Sequence, residues 1–479
     1  MLFNSIDFAI FLPIVFILYW FVFGKENIKM QNMLIVIASY FFYGYWDWRF
    51  LSLIFVSTMV DFLVGIQLGK KHSLVPRRLL LAISIAVNLG LLGFFKYYNF
   101  FLDNFITAFS FFGVELQGRS LNVILPVGIS FYTFQTLSYT LDVYKKKMKP
   151  TKDFISFAAY VSFFPQLVAG PIERATHLLP QFFKKRSFDY AKATDGMRQI
   201  LWGLFKKIVI ADTCAKFVDT IFSNSSQFSG STLVLGAVLF AFQIYGDFSG
   251  YSDIAIGTAR LFGFNLMTNF AYPYFSRDIA EFWRRWHISL STWFRDYLYI
   301  PLGGSRGGLW MKIRNTFIIF LVSGFWHGAN WTFIAWGALN ALYFLPLMIF
   351  GKNRRNIEII GYKKKFPSIG EILGVIVTFA LTCLAWIFFR AESVSHAITY
   401  ISSIFTAELF TFPPNMPYSL LLGIVFLIVI EWFGRRSKFP LSEVLIGAPR
   451  YVRWGFYYFL ILLIIINGGD KQQFIYFQF

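Results

Sequence analysis

The sequence predicts an all-α, polytopic integral membrane protein of about 11–12 transmembrane helices plus re-entrant segments, and three observations carry that prediction. Hydrophobic residues make up 57% of the 479 and charged residues only 14%, where a soluble domain carries about a quarter charged. Aromatic residues reach 21%, with 62 Phe, 25 Tyr and 14 Trp, and the mean hydropathy is +0.56, so lipid must solvate much of the surface. The formal charge of +19 arises from 44 Lys and Arg against 25 Asp and Glu. Those cations fall in short clusters between long apolar runs, as in loops facing an anionic inner leaflet. The same clustering argues against a nucleic-acid partner, and the composition excludes disorder, coiled coil and a secreted disulfide scaffold.

Met1 to Phe23 is apolar, with no basic residue ahead of its core and no small-residue cleavage site, so a retained span is expected rather than a signal peptide. Lys25 and Lys29 follow it and place its C-terminal end in the cytoplasm. Apolar runs at 31–46 and 50–68 flank the interfacial turn Trp46-Asp47-Trp48-Arg49 and end at the basic loop of Lys70, Lys71, Arg77 and Arg78. Spans at 79–95 and 121–143 return the chain to Lys145, Lys146, Lys147, Lys149 and Lys152, so parity holds. Segment 153–169 is apolar but leads through Gly170 and Pro171 to Lys184, Lys185, Arg186 and Lys192, as a re-entrant hairpin would.

Spans at 200–222 and 232–249 enclose an uncharged outer loop, Ser223 to Ser231, and a semi-polar stretch, 260–311, stays near the inner face. The run 313–350 is long enough for two spans, broken around Gly324 to Asn330, and leads to the basic residues between Lys352 and Lys365. Spans at 370–389, 418–433 and 454–468 complete the series. Residues 1–479 form a single membrane domain in this reading, with an extracytoplasmic aromatic tail over 469–479 and no internal repeat of the kind that builds inverted-repeat transporters.

Polar groups at membrane depth are costly, which makes Asp61, Asp247, Asp253, His287 and His327 the informative residues. Asp247 and Asp253 lie in a Gly- and Ser-rich stretch, Tyr245 to Asp253, expected to break the helix at a span end: either a capping turn or the floor of a reaction chamber. His327 sits between Gly324 and Gly328, where it is either a core histidine bonded to a backbone carbonyl or a general base, since imidazole exchanges protons near neutral pH. Trp326 and Asn330 flank it as candidate substrate contacts.

His287 lies in Arg277 to Pro301, which reads as an amphipathic interfacial helix with Glu281 spaced to pair with an arginine. Alternatively, Arg284, Arg285 and Arg295 form a cluster for the phosphates of an anionic donor. No metal site is expected: the five histidines lack an i, i+4 pair, and Cys214 and Cys383 stand alone in apolar stretches. Walker A, GxGxxG and GxSxG motifs are absent as well.

The run from Asp247 through Trp286-His287-Ile288-Ser289 to Phe325-Trp326-His327-Gly328-Ala329-Asn330-Trp331 resembles the core block of the membrane-bound O-acyltransferase family. Within that family the likeness is to the bacterial alginate O-acetyltransferase branch, and it extends over nearly the whole chain from Leu2 onward. The resemblance implies a tunnel through the bilayer that narrows at His327, with His327 catalytic and His287 a second functional position. It also implies an acyl thioester donor, most simply acetyl-CoA, with no bound cofactor. An extracytoplasmic SGNH-hydrolase-like partner would pass acetyl groups to a cell-surface polysaccharide such as alginate, peptidoglycan or another exopolysaccharide. The implied location is the bacterial cytoplasmic (inner) membrane.

The tail, Phe474-Ile475-Tyr476-Phe477-Gln478-Phe479, reads either as an interfacial anchor or, by likeness to the C-terminal FxYFxF of the small partner peptide of D-alanyl-transferring relatives, as an acyl relay through Tyr476. From the residues alone, a channel or transporter using Asp61, Asp247 and His327, or a non-catalytic scaffold, stands as the rival reading.

Overall fold

The computed structural model describes all residues except 24–26, 71–72, 115, 117, 119, 123, 363–365, 406, 414–415, 446, 470–471 and 476–479. Among the described residues the regular structure is helical throughout. Five of the helical stretches are long and apolar enough to cross a membrane: Ile28–Leu68, Leu74–Phe111, Gly230–Leu261, Trp331–Ile349 and Ile369–Arg390. Shorter apolar helices cover Ile6–Val22, Phe154–Leu167 and Tyr418–Gly434. The chain is an all-α polytopic membrane protein, and its helices gather into two compact units.

Unit 1 comprises Met1–Gly196 and Thr258–Met267. It opens with α1 (Ile6–Ile17), capped by the Ser5 hydroxyl and extended by a π turn to Val22. The Trp46-Asp47-Trp48-Arg49 segment forms a turn between two helices. Helix α2 (Ile28–Asp47) ends there, Arg49 folds onto the Asp47 carboxylate, and α3 (Leu51–Leu68) begins. Next come α4 (Leu74–Leu92), α5 (Tyr98–Phe111) and α6 (Ile129–Tyr144). The expected span from 121 is helical only from Ile129, because Gly128 in the left-handed region (φ 77°) turns the backbone immediately before it.

The expected hairpin is two short buried helices, α7 (Phe154–Ser162) and α8 (Phe164–Leu167), then α9 (Ala175–Leu178). Nine residues of helix rise about 14 Å, under half the hydrocarbon thickness. Buried Asp61 accepts hydrogen bonds from Ser84 Oγ (2.5 Å) and Asn88 Nδ2 (2.8 Å), so neutral donors of the same bundle satisfy it.

Unit 2 comprises Met197–Gly257 and Thr268–Phe479. Helix α10 (Tyr190–Leu204) carries on through a π-helical stretch, Phe205–Ala211, into α11 (Asp212–Ser223). Helix α12 (Gly230–Leu261) follows. The expected break at Tyr245–Asp253 is absent: α12 is a single helix of 32 residues through that stretch. Its glycines serve packing instead of bending. A Cβ on Gly203 would lie 2.6 Å from the Gly250 carbonyl oxygen, and one on Gly250 2.8 Å from that of Gly203, so the two helices cross backbone to backbone.

The expected amphipathic helix over 277–301 is likewise two short pieces, α13 (Ile279–Arg285) and α14 (Ile288–Phe294), parted at His287. Helices α15 (Leu309–His327) and α16 (Trp331–Ile349) stand where the pair of spans was expected, with the break at Gly328 to Asn330, and α16 is long and apolar enough to cross a membrane. The remaining helices are α17 (Ile369–Arg390), α18 (Val394–Ile404), α19 (Tyr418–Gly434) and α20 (Arg450–Asn467). The core of this unit is dense in aromatic side chains, among them Trp202, Trp286, Trp336 and Trp386.

Candidate active site

The two histidines singled out by the sequence both lie in unit 2, buried, at helix ends. His327 is the last residue of α15. The chain leaves the helix through extended Gly328 and re-enters one at Asn330, whose Oδ1 accepts the Thr332 N–H (3.0 Å) while its Nδ2 donates to the Glu392 carbonyl (3.1 Å). Asn330 thus fixes the turn beside the imidazole. Aromatic rings enclose His327, with centroids at 4.9 Å (Trp326), 5.2 Å (Trp336) and 5.3 Å (Phe389). Such a box excludes water and leaves a small number of directions from which a substrate atom can reach a ring nitrogen.

His287 adopts the left-handed conformation (φ 44°), strained for a residue with a Cβ, and it caps α14. Asn269, which no sequence motif marked, holds it there. Asn269 Oδ1 lies 3.0 Å from His287 Nδ1 and also accepts from Ser289 Oγ (2.8 Å), while Asn269 Nδ2 donates to Ser252 Oγ (3.1 Å). Because the amide oxygen can only accept, the network assigns the proton to Nδ1 and leaves Nε2 as the free lone pair of the neutral ring. That Nε2 is buried without a hydrogen-bond partner among the described residues. Trp326 separates the two imidazoles, 6.1 Å from His287 on one side and 4.9 Å from His327 on the other.

The carboxylates of α12 are held by two lysines inside a predicted span, Lys206 and Lys207, which sequence reasoning passed over. The π-helical stretch widens the turn enough for both consecutive lysines to be buried. Lys206 Nζ meets Asp253 Oδ2 (2.6 Å) and Ser249 Oγ (2.8 Å). Lys207 Nζ bridges Asp212 Oδ1 and Asp247 Oδ1, each at 2.7 Å. A signal was available: two adjacent lysines in an apolar run need carboxylates at matching depth.

The same cluster receives the C-terminal tail. Ile475 N–H donates to Asp247 Oδ2 (2.6 Å), and Lys207 Nζ reaches the Gln472 carbonyl (3.4 Å). Phe474 is fully buried, 4.2 Å from the Tyr251 ring and 6.2 Å from Phe248, which in turn meets His287 edge-on at 4.6 Å. Tyr476 lies outside the described residues.

The arginines divide. Arg285 pairs with Glu281 (2.8 Å), which Arg277 also grips (3.0 Å), so the expected i, i+4 pair is present. Arg284 donates to the Asn353 and Asn356 carbonyls. Arg295, paired with Asp296, lines a cavity of about 550 Å³ together with Lys312 and Arg354. The inner wall of that cavity is apolar, formed by Ile319, Phe320, Phe344 and Met348. Phe320 connects it to His327 through Trp283 and Trp336, in ring steps of 5.3, 5.6 and 5.2 Å. Among the described residues no three His, Cys, Asp or Glu side chains converge as metal ligands.

Comparison with known proteins bears on this geometry. Residues 148–385 match the family described as MBOAT, membrane-bound O-acyltransferase family. The chain is 39% identical over 409 residues to the probable alginate O-acetylase AlgI of Pseudomonas aeruginosa, covering 85% of this chain and 75% of that protein. It is 36% identical over 426 residues to the peptidoglycan O-acetyltransferase of Helicobacter pylori, covering 83% and 78%. Similarity extends, at 25% over 295 residues (57% and 71%), to the teichoic acid D-alanyltransferase of Bacillus subtilis.

Proposed function

Because the chain belongs to the membrane-bound O-acyltransferase family, we propose that it takes acetyl groups from acetyl-CoA on the cytoplasmic side and delivers them through its own C-terminal tail for O-acetylation of an extracytoplasmic polysaccharide. The observation that carries this reading is the docked tail: the N–H of Ile475, one residue before Tyr476, is bound by Asp247, and Phe474 packs into the aromatic contacts that lead to His287.

The chemistry balances with the groups present. A ring nitrogen of His327 takes the proton of the acceptor hydroxyl, Tyr476 in this reading, as its oxygen attacks the thioester carbonyl. The C–S bond then breaks, the thiolate recovers that proton from the imidazolium, and CoA leaves as the thiol. The phenol of tyrosine has a pKa of about 10, so an aryl ester retains a better leaving group than an ester of a sugar alcohol. It can therefore pass its acetyl group onward, here to an SGNH-hydrolase-like partner and then to the polymer. His287, with Nε2 as its free lone pair, orients the attacking hydroxyl or a water beside it. The cavity rimmed by Arg295, Lys312 and Arg354 supplies cations for CoA phosphates and apolar wall for the pantetheine arm. The relatives of Pseudomonas and Helicobacter act, by their names, on alginate and on peptidoglycan. A hydroxyl-bearing cell-envelope polysaccharide of a bacterium is the acceptor class proposed, and the bacterial cytoplasmic membrane the site.

Radiolabelled acetyl-CoA incubated with the purified full-length protein tests the reading. Label should appear on the wild type and fall by about 10²–10⁴ in His327→Ala, as loss of a general base predicts; Tyr476→Phe should abolish it. Label retained in Tyr476→Phe would move the acceptor elsewhere. CoA release unaffected by His327→Ala would remove the histidine from the chemistry.

A further inference from the structure

Unit 1 carries a second basic cavity that plays no part in acyl transfer as described above. It has a volume of about 410 Å³ and is lined by Lys184, Lys185, Arg186, Lys192 and Arg260, with Asp189 as its one acidic wall residue among the described residues. Arg260 pairs with Asp195 (2.6 Å) and Lys192 with Asp189 (3.2 Å). His177, also on the wall, is engaged by Glu173 at 2.6 Å. Arg186 is buried as the fixed floor: it bonds Asn32 Oδ1 (2.7 Å), and its guanidinium lies 4.8 Å from the centre of the Phe264 ring. Lys184 and Lys185 are exposed.

Two apolar helices end at the cavity. Trp20, at the end of α1 and its π turn, donates to the Leu261 carbonyl at the end of α12 (2.9 Å), and Trp20 and Leu261 both line the cavity. The common end of two apolar helices beside a run of cations is where the chain is expected to leave the hydrocarbon and meet lipid phosphates. The Lys184-Lys185-Arg186 run is flanked by aromatic residues that stand out from the protein, Phe183 (46% exposed), Phe188 (42%) and Tyr190 (77%). Phe188 packs on Trp20 at 5.7 Å and on Phe16 at 5.8 Å, fastening the run to the end of the first span. Exposed aromatics beside cations at this depth suit the acyl–headgroup boundary. A soluble phosphate would have no use for that apolar skirt.

We propose that this cavity binds the phosphate headgroup of an anionic membrane phospholipid of the leaflet that charge parity assigns to the cytoplasm. Lys184 and Lys185 clamp the phosphate, and Phe183, Phe188 and Tyr190 lie among the upper methylenes of its chains.

The full-length protein, reconstituted in nanodiscs of phosphatidylcholine doped with phosphatidylglycerol or cardiolipin, then extracted and analysed by native mass spectrometry, tests this. Wild type should retain the anionic lipid in preference to phosphatidylcholine. Lys184→Glu/Lys185→Glu should weaken retention by at least about 25-fold, at about fivefold for each lysine lost near an anionic surface. Lys145→Glu/Lys147→Glu, an equal charge change in another basic loop, should stay within about twofold. Equal loss in both double variants, or equal retention of phosphatidylcholine, would overturn the proposal by reducing it to non-specific attraction. Displacement of the lipid by millimolar inorganic phosphate or coenzyme A, lost in Lys184→Glu/Lys185→Glu, would overturn it in favour of a soluble occupant.

Discussion

Asp61 of unit 1 and Asp247 of unit 2 are carboxylates buried within apolar helices, and they are accommodated by opposite means. Asp61 accepts from a hydroxyl and an amide, Ser84 and Asn88, contributed by the next helix of its bundle. Asp247 shares an ammonium, Lys207, with Asp212, and its second oxygen takes the backbone N–H of Ile475, 228 residues away. A carboxylate closed off by neutral donors is finished within its own bundle. One that needs a charge and a distant backbone stays coupled to whatever that backbone does. The contrast separates a polar group satisfied within its own bundle from one that depends on a distant segment, although the sequence presents both as an Asp in an apolar stretch.

The largest effect should come from Lys207→Met, which leaves Asp212 and Asp247 buried without their cation. Breaking a buried ion pair from one side costs about 3–5 kcal/mol, readable as a drop in thermal unfolding temperature in detergent, with acyl transfer lost. Unchanged stability would show that the lysine does not hold this cluster together. Phe474→Ala comes next, at about 3 kcal/mol for removing a fully buried aromatic ring. Limited proteolysis should then cut the tail while leaving the helices intact, and acetyl labelling should fall with it.

Asp61→Asn should be milder, about 1–3 kcal/mol, because one of its two donors then faces an amide N–H. Acetyl labelling should remain within about twofold of wild type once folding is matched, and a larger fall would erase the distinction between the two sites. The smallest effect concerns Glu173, a third buried carboxylate, whose partner is a half-exposed imidazole. The hydrogen bond to Glu173 raises the pKa of His177 above its ordinary value. Its stabilisation is therefore complete below about pH 6.5, the unfolded value, and is lost as the pH rises through the raised one. With solvent screening this amounts to less than about 1 kcal/mol, visible as a small fall in unfolding temperature from pH 6 to pH 9 that His177→Gln abolishes.

Much of this architecture was legible along the chain. The break at Gly328 to Asn330 is local: a Cβ on Gly328 would strike the Phe333 ring, and Asn330 is a cap by composition. The basic residues Lys145 to Lys149 lie between helices as read, whereas Arg77 and Arg78 fall in the first turns of α4, and the turn at Trp46 to Arg49 is present. Misreadings occurred where local rules met tertiary contacts. Gly246 and Gly250 looked like helix breakers, yet α12 runs straight through because the glycines let another helix approach. The 277–301 stretch looked like one amphipathic helix, but Asn269, outside it, stabilises a left-handed His287 that splits it. Arg284 and Arg285, for which an anion-binding cluster was one of two readings, bond to Glu281 and to backbone carbonyls.

The sequence by itself determined the fold class, the membrane as solvent and His327 as the residue to examine, because hydropathy, charge parity and a Gly-flanked histidine are properties of neighbouring residues. Only the tertiary structure decided which lysine satisfies which carboxylate, which histidine nitrogen is left with a lone pair, and that Phe474 and Ile475 insert among buried helices. Those outcomes depend on pairs far apart in the chain. Burial makes such pairings obligatory, since an unpaired charge or N–H in a low-dielectric interior costs several kcal/mol, but it does not reveal the partner until the helices are packed.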